Sequence, residues 1–450
     1  IDGNDPGIDG INNPDGPNYA SPEAYLDVEW AGAVAPKATV DLVIAADTSL
    51  ESGLILAAEH AVYGNVAPVM SMSFGSCEAS LGSSNAFINQ VLMEQAAAQG
   101  ITVMVSTGDS GSAGCDNPAQ YYAVSGLGVN GFASTPWNVA VGGTDFYYGS
   151  NYANLSLTDL GTYWNTTGTN TPPAGGSLLA PIAEQPWNSS QFGLDASDYY
   201  SNYGSTTIAG ASGGASSAAV CPAGYSSTGA CNGTPTGYPK PAWQTGTGTQ
   251  SDSVRDIPDV SLFAADGPNY SYYPICYEDG DCQTGGSGPV QIFGVGGTSA
   301  AAPAFAGIMA LVNQKYGRQG QADFVLYPLK TQFPAAFHDI TVGTIAVPCN
   351  LTAVSGHQPV NCITPNPNPI TTPITDPTYG SATEGETGVG TTPSYNATAG
   401  YNLATGLGSV DAAVLVNDWG SVTFAASNVT LTPSSTSFTH GTAITISGSV

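Results

Sequence analysis

Apolar segments of strand length and of helix length alternate between residues 21 and 109, and this alternation limits the fold more than any other feature. Ser21 and Pro22 are typical of an N-cap and a first helical position, so the sequence predicts a helix over residues 23–35 that ends at Pro36. The next segments are predicted in turn as strand 38–46, helix 50–64, strand 67–75, helix 85–100 and strand 101–109. This order predicts a doubly wound α/β fold with a parallel sheet, helices on both faces and an active site at the carboxyl ends of the strands.

A candidate nucleophile lies in the stretch GGTSAAAPAFAG, residues 296–307, where Ser299 stands between a glycine turn and an apolar run. The run predicts a helix that begins near Ser299, with Pro303 compatible only with its first turn. Backbone N–H groups at a helix N-terminus are unpaired and can hold a developing oxyanion. A serine nucleophile also needs a group that removes its proton.

None of the four histidines fits the role of that base. His60 lies within a helical pattern, His338 precedes Asp339, and His357 lies in a loop between cysteines. His440 belongs to an HGT sequence, but that sequence follows the serine within a Ser/Thr-rich segment. A histidine-dependent subtilisin, which would share the sequence around the serine, is therefore a poor fit.

Two acidic residues on the first predicted helix offer another base. Glu23 and Asp27 are four residues apart, so both carboxyl groups project from one helix face. If the pair is buried beside Ser299, one carboxyl group has a raised pKa and shares its proton with the other. The competing interpretation is an ordinary solvated acidic face. A carboxylate base would still work in acid, where a histidine is protonated.

A third acidic residue, Asp109, directly follows a predicted buried strand in the turn VSTGDSG. One interpretation is an Asx turn that ends the strand. The other is a protonated carboxyl group that donates a hydrogen bond to an oxyanion, which requires acid or an apolar pocket.

The charge of the chain narrows its partners and its surroundings. Six Lys and Arg residues stand against 34 Asp and Glu residues, giving a net charge of −28. We therefore expect no nucleic-acid partner, and the apolar runs are too short for a membrane span. Protonation of the carboxylates relieves self-repulsion in acid, so the composition favours an acidic environment, although halophilic adaptation or solubility would also explain it.

The eight cysteines are spaced as four close sequential pairs: Cys77/Cys115, Cys221/Cys231, Cys276/Cys282 and Cys349/Cys362. Eight cysteines allow about 105 pairings, so the sequential pairing is a hypothesis. The even number and local spacing are typical of a disulfide-bonded, secreted protein.

Taken together, these stretches resemble the sedolisin family of serine-carboxyl peptidases. The resemblance is carried in order by PEAYLDVEWAGAVAP, VMSMSFGSCE, VSTGDSG, STPWNVAVGGTDF, ASGGAS, RDIPDVSLFAADG, GVGGTSAAAPAFAGIMALVNQ, FHDI and AGYNLATGLGSVD. It implies a subtilisin-like fold and hydrolysis of polypeptides by Ser299 as nucleophile, Glu23 as general base and Asp27 behind Glu23. Asp109 would line the oxyanion hole with the Ser299 amide. The resemblance also implies the substrate-binding residues Ser73, Phe74, Gly75, Gly142 and Gly143.

The resemblance further implies one structural calcium ion. Its ligands would be Asp339, the carbonyl groups of Ile340, Thr398 and Gly400, and the side chain at position 402. This sequence has Asn402 where the family usually has Asp, and one charge fewer is expected to weaken the site. The competing interpretation of both stretches is ordinary loop turns.

We expect residues 1–420 to form the peptidase domain and residues 421–450, which alternate β-formers with Ser/Thr turns, to begin an immunoglobulin-like β module. Family members carry a propeptide, then a further strand and helix before the Glu/Asp helix, so we expect an upstream segment to complete the fold. The overall prediction is a secreted, acid-acting serine-carboxyl endopeptidase that has its own propeptide as a partner. The alternative is a catalytically inactive surface or assembly protein with a peptidase fold.

Overall fold

The computed structural model describes residues 20–148, 161–164, 178–194, 206–266, 271–277, 281–283, 290–365, 373–424, 430–434 and 446–449. The α-helices are α1 (Ser21–Val34), α2 (Gly53–Tyr63), α3 (Glu78–Leu81), α4 (Ser84–Phe87), α5 (Glu94–Ala98), α6 (Thr298–Tyr316), α7 (Asp323–Gln332) and α8 (Ala412–Asp418). The first nine strands are β1 (Val69–Met72), β2 (Thr102–Ser106), β3 (Val139–Phe146), β4 (Glu184–Pro186), β5 (Gly214–Ala215), β6 (Asp256–Ile257), β7 (Val260–Phe263), β8 (Tyr273–Ile275) and β9 (Phe293–Val295). The later strands are β10 (Phe337–His338), β11 (Pro348–Asn350), β12 (Cys362–Ile363), β13 (Pro373–Asp376), β14 (Gly380–Val389), β15 (Thr392–Pro393), β16 (Ser409–Val410), β17 (Thr430–Pro433) and β18 (Ile446–Ser449).

The central sheet is parallel through β1, β2, β3 and β7, and β4 adds an antiparallel strand. In β2, Met104 packs on one side of the sheet with α6, whereas Val103 and Val105 pack on the other side with α2 and the α4–α5 region. Alternate residues of β2 thus pack into two different cores, because successive side chains of a strand point to opposite faces of the sheet. The predicted α/β fold with helices on both faces is confirmed.

Helix α1 crosses α6 at very close range. A Cβ atom added at Gly307 of α6 would lie 2.7 Å from the Val34 Cβ and 3.1 Å from the Ala31 carbonyl oxygen. Only a residue without a side chain allows this approach, and the alanines around Gly307 keep the rest of the contact thin. The contact fixes the carboxyl-bearing helix against the helix of the candidate nucleophile.

The predicted helix boundaries are close to the observed ones. Helix α1 begins at Ser21, so Ala20 occupies the N-cap position that the sequence assigned to Ser21. The helix predicted over residues 85–100 consists of α4, a π-helical stretch at Ile88–Met93, and α5. The last described helix, α8, is followed by a 3₁₀ turn at Trp419–Ser421.

The strand predicted over residues 38–46 is wrong, because this segment pairs with no strand in the part of the chain that the structure describes. Val40 and Leu42 are 38% and 53% exposed, although their sequence is typical of a buried strand. A cavity of about 300 Å³ lies between residues 38–44 and β1, with α1, α2 and α6 around it. Among the described residues β1 pairs with β2 alone, so both borders of the cavity have the character of strand edges without a neighbour.

All four predicted disulfides are present: Cys77–Cys115, Cys221–Cys231, Cys276–Cys282 and Cys349–Cys362. The Cys349–Cys362 bridge joins β11 to β12, which both pair with β14 in a second, antiparallel sheet. Covalent closure of this short-stranded region limits its unfolded ensemble.

Within the described part of residues 421–450, β17 and β18 form one antiparallel pair. The immunoglobulin-like module, and with it the boundary at residue 420, stays a prediction. No helix in the ranges described above is both long and apolar enough to cross a membrane.

An ionic cluster lies inside the core between β7, α7 and the turn before β7. Arg255, Asp259 and Asp323 are all fully buried. The Arg255 guanidinium donates to both carboxyl oxygens of Asp259, at 2.8 and 2.5 Å, and the Tyr327 hydroxyl donates to Asp259 at 2.9 Å. Both carboxyl oxygens of Asp323 are buried without a hydrogen-bond partner. Burial, and then repulsion by Asp259, raises the pKa of Asp323 well above its ordinary value of 3.8.

Asp323→Asn is expected to make the protein less sensitive to rising pH. A carboxyl group with a raised folded-state pKa stabilises the fold only while it is protonated, and each pH unit between the two pKa values costs about 1.4 kcal/mol of unfolding free energy. We therefore expect urea denaturation to show a smaller loss of stability from about pH 4 to pH 7 in the variant than in the wild type. Glu94→Gln, at an exposed carboxylate, is the control. An unchanged pH dependence in Asp323→Asn would assign the proton to another group.

Candidate active site

The α1–α6 contact brings Glu23 and Asp27 to the residues around Ser299. Glu23 keeps part of its surface exposed, but its Oε1 atom is fully buried and has no hydrogen-bond partner. Burial is the main cause that raises the pKa of Glu23 to about 8, followed by the charge of Asp27, while hydrogen bonding by Ser299 and Ser73 opposes the rise. The predicted proximity of the acidic pair to the serine is therefore present in the structure.

Asp27 also keeps its proton more strongly than a free carboxyl group. Burial raises its pKa to about 7, and hydrogen bonding by Ser73 opposes this rise. Since the charge on Asp27 contributes to the raised pKa of Glu23, the two groups lose their protons one after the other. In a pair that holds one proton, Glu23 can accept a second only while the first lies on Asp27, and both carboxyl groups are then neutral.

The side chain of Ser73 connects this pair to the candidate nucleophile. Its hydroxyl oxygen lies 2.5 Å from Asp27 Oδ1 and 3.1 Å from the Ser299 carbonyl oxygen. The Ser299 hydroxyl in turn donates to the Ser73 carbonyl oxygen at 3.2 Å. A hydroxyl group has one hydrogen, so Ser73 donates either to an ionised Asp27 or, when Asp27 is protonated, to Ser299.

Pro303 explains why the Ser299 carbonyl group accepts this bond. In an α-helix the N–H of residue 303 would donate to the carbonyl of residue 299, and proline has no N–H. Pro303 lies in the second turn of α6, beyond the first turn to which the sequence confined it. The carbonyl group that the proline leaves without a helical partner is the one that Ser73 reaches.

Asp109 lies at the N-terminus of α6, just after β2. Its Oδ1 atom accepts hydrogen bonds from the Thr298 N–H at 2.8 Å and from the Thr298 hydroxyl at 2.9 Å. A Cβ atom at Gly297, whose φ is +112°, would lie 3.0 Å from Asp109 Oδ2. Burial of the carboxyl group raises its pKa, so it stays protonated above its ordinary range. With Oδ1 occupied as an acceptor, Oδ2 is the atom placed to carry the proton.

The five residues implied as substrate-binding lie in two places. Ser73, Phe74 and Gly75 follow the carboxyl end of β1, where Ser73 is buried and Phe74 is 39% exposed. Gly142 and Gly143 lie within buried β3, and a Cβ atom at Gly143 would lie 3.3 Å from Thr298 Cγ2. Their roles toward substrate stay predictions.

Two side-chain contacts around the nucleophile were not predicted from the sequence. Thr298 holds Asp109, and the Ser73 hydroxyl holds Asp27. The threonine directly before the serine was a signal available in the sequence. The Ser73 hydroxyl reaches Asp27 over 46 positions and Ser299 over 226 positions, so its role had no local signal.

The residues implied as calcium ligands also lie together, but they bond to protein groups. Asp339 Oδ1 lies 2.6 Å from the Lys330 ammonium group, and Asp339 Oδ2 accepts from the Gly400 N–H at 3.0 Å. The Asn402 amide nitrogen donates to the carbonyl oxygens of Thr398, at 2.9 Å, and Ile340, at 3.4 Å. Among the described residues, no group of three or more His, Cys, Asp or Glu side chains is arranged to hold a metal ion.

Comparison with known proteins identifies the family of the chain. The sequence profile of peptidase S8, the subtilase family, matches residues 10–330. The chain belongs to the subtilase family, in its sedolisin branch. Kumamolisin from Bacillus sp. (strain MN-32) is 28% identical over 348 residues, which cover 75% of this chain and 47% of that protein. Sedolisin from Pseudomonas sp. (strain 101) is 29% identical over 294 residues, which cover 65% of this chain and 38% of that protein.

A solved structure agrees with the fold of this sedolisin-family chain. Pseudomonas sedolisin, a serine-carboxyl proteinase complexed with two molecules of pseudo-iodotyrostatin, superposes with a TM-score of 0.55 at 25% identity. The match covers 89% of this chain and 78% of that one. The chain spans less than half of the length of the two curated relatives that it matches.

Replacement of Ser73 by alanine is expected to move the pH dependence of peptide hydrolysis. The hydroxyl group lowers the pKa of Asp27, so its loss raises the pKa of the acidic pair. A base with a higher pKa is ionised less at acid pH, and a rise of one unit lowers the rate there roughly tenfold. The acid limb of the pH–rate profile should therefore lie at higher pH in Ser73→Ala than in the wild type, with KM little changed.

Ser73→Thr keeps the hydroxyl group and should restore the acid limb. If Ser73→Ala loses rate equally at every pH, the serine supports the fold without acting on the acidic pair.

Proposed function

We propose that the chain is a serine-carboxyl endopeptidase that cleaves polypeptides with Ser299 as nucleophile. The observation that carries this proposal is the convergence on Ser299 of the Glu23–Asp27 pair from α1 and Asp109 from the end of β2. A carboxyl pair that shares a proton and a neutral carboxyl group opposite it are the parts that acyl transfer without histidine requires. Membership of a peptidase family supports the same reaction class.

In the proposed reaction the Ser299 hydroxyl attacks the scissile carbonyl carbon and passes its proton to Glu23. The proton that the pair already holds lies on Asp27 during this step, so both carboxyl groups are neutral once Glu23 has accepted the serine proton. Asp109 Oδ2 and the Ser299 N–H donate to the oxyanion, and Glu23 then returns the proton to the leaving amine. Water cleaves the acyl-enzyme by the same route in reverse.

We further propose that the substrate main chain lies along Ser73, Phe74 and Gly75, with Gly142 and Gly143 near the pocket for the side chain before the cleaved bond. Ser73–Gly75 continue β1 beyond its paired residues, so their backbone is placed to add an extended peptide. Secretion is part of the proposal and is supported by four disulfides.

We also propose that a segment encoded upstream, either attached or as a separate cleaved chain, fills the cavity beside β1. The cavity has strand-edge character on both sides, and Asp27, Ser73 and Phe74 line its active-site end. A strand placed there would pair with β1 and cover the apolar side chains of residues 38–44. It would also bring hydrogen-bond donors toward Asp27.

We propose that the enzyme works at acid pH, because the chain carries a net charge of −28. Activity at acid pH also requires the upstream segment. The pKa values of about 7 for Asp27 and about 8 for Glu23 place ionisation of the pair near neutral pH. A base that works in acid needs further stabilisation of the negative charge on the pair. Donors from a segment in the cavity would provide it.

The proposed reaction is tested with the full precursor, matured by its own processing, on a denatured protein substrate. The rate should rise as the acidic pair loses its first proton and fall as Asp109 loses its proton, which gives a bell-shaped profile. Ser299→Ala and Glu23→Gln should abolish turnover at every pH. Glu29→Gln, on the same helix, is the control and should retain it. Wild-type turnover in Glu23→Gln would refute the carboxylate base, and a folded but inactive wild type would favour the inactive scaffold.

The upstream segment is tested by comparing the 450-residue chain with the same chain carrying the residues encoded before it. The longer protein should unfold at a higher temperature, and its acid limb should lie at lower pH. Equal unfolding temperatures and equal pH profiles would refute a segment in the cavity.

A further inference from the structure

The amide orientation of Asn402 is fixed by its surroundings. Its Oδ1 atom accepts from the backbone N–H groups of Ala404 and Thr405, at 3.1 and 2.9 Å, and from the Thr405 hydroxyl at 3.1 Å. Exchange of the oxygen and the nitrogen would point an NH₂ group at two N–H donors. Because Asn402 is 2% exposed, water does not relieve that conflict.

The Asn402 NH₂ group therefore faces the carbonyl groups that a cation would otherwise bind. It donates to Thr398 and Ile340, two of the carbonyl groups that the resemblance assigns to calcium. An aspartate at this position would present a second oxygen to the same space, whereas the amide presents two hydrogens. Calcium requires six to eight oxygen ligands, and here the Asn402 NH₂ group, a hydrogen-bond donor, lies among the oxygens that would bind it.

The Asp339 carboxylate, which would supply negative charge to a calcium ion, is already neutralised by a lysine of the protein. Lys330, from the last turn of α7, lies 2.6 Å from Asp339 Oδ1. The Gly400 N–H takes the other oxygen. A divalent cation would have to displace the lysine and would meet a single carboxylate.

We propose that Asn402 and Lys330 replace the calcium ion and that this end of the protein folds without metal. The amide joins the loop after β10 to the loop before β16, and the ammonium group joins α7 to the same place. The residues at this site do not fit calcium, so no step of the proposed reaction depends on the ion. The inference is independent of catalysis, because folding stability tests it.

The experiment measures the unfolding temperature of the full protein in EDTA and in millimolar CaCl₂, with calorimetric titration of calcium alongside. The wild type should show equal unfolding temperatures in both and no heat of binding. The double variant Asn402→Asp, Lys330→Ala restores an oxygen and frees the carboxylate of Asp339. It should unfold at a higher temperature in calcium than in EDTA, by roughly 2–4 °C.

Asn417→Asp, which adds at an exposed position the same single charge as Asn402→Asp, is the control and should show no calcium response. A wild type that EDTA destabilises or that binds calcium in titration would overturn the proposal. A folded double variant without any calcium response would also overturn it, since Asn402 and Lys330 would then not be the residues that exclude the ion.

Discussion

The close contact between α1 and α6 is the constraint on which the candidate site depends. Gly307 allows the Ala31 carbonyl and the Val34 side chain to approach α6 closely. That approach sets the distance from the acidic face of α1 to the first turn of α6. The absence of side-chain atoms at Gly307, about two helical turns from Ser299, therefore fixes the position of the reacting groups.

Buried acids recur through the molecule, and each is handled differently. Asp259 is neutralised by Arg255. Glu78 accepts hydrogen bonds from the Ser216 hydroxyl and from two backbone N–H groups, those of Ser217 and Ala218. The Glu23–Asp27 pair is stabilised by shared protons. Six basic residues in the whole chain leave few cations for such groups. Hydroxyl and backbone N–H donors therefore take over part of the electrostatic role that Lys and Arg have in most proteins.

Much of the fold and of the site followed from local sequence. The periodicity of the sequence around residues 69–72, 102–106 and 298–316 identified two strands and the helix of the serine. The sequential pairing of the cysteines, a hypothesis from their spacing, is the observed one. The segment 38–46 failed because a strand exists only with a partner, and its apolar pattern says nothing about which partner is present. The hydroxyl of Ser73 was missed for a related reason, since its partners are distant in the sequence.

Pro303 has a consequence for how this site can evolve. By removing one N–H from α6, the proline makes the carbonyl group of the nucleophile available to Ser73, so two positions far apart in the chain serve one hydrogen bond. Any other residue at 303 would supply an N–H that competes with the serine. Positions 73 and 303 therefore depend on each other, and a substitution at one position should be accompanied by a substitution at the other in related proteins.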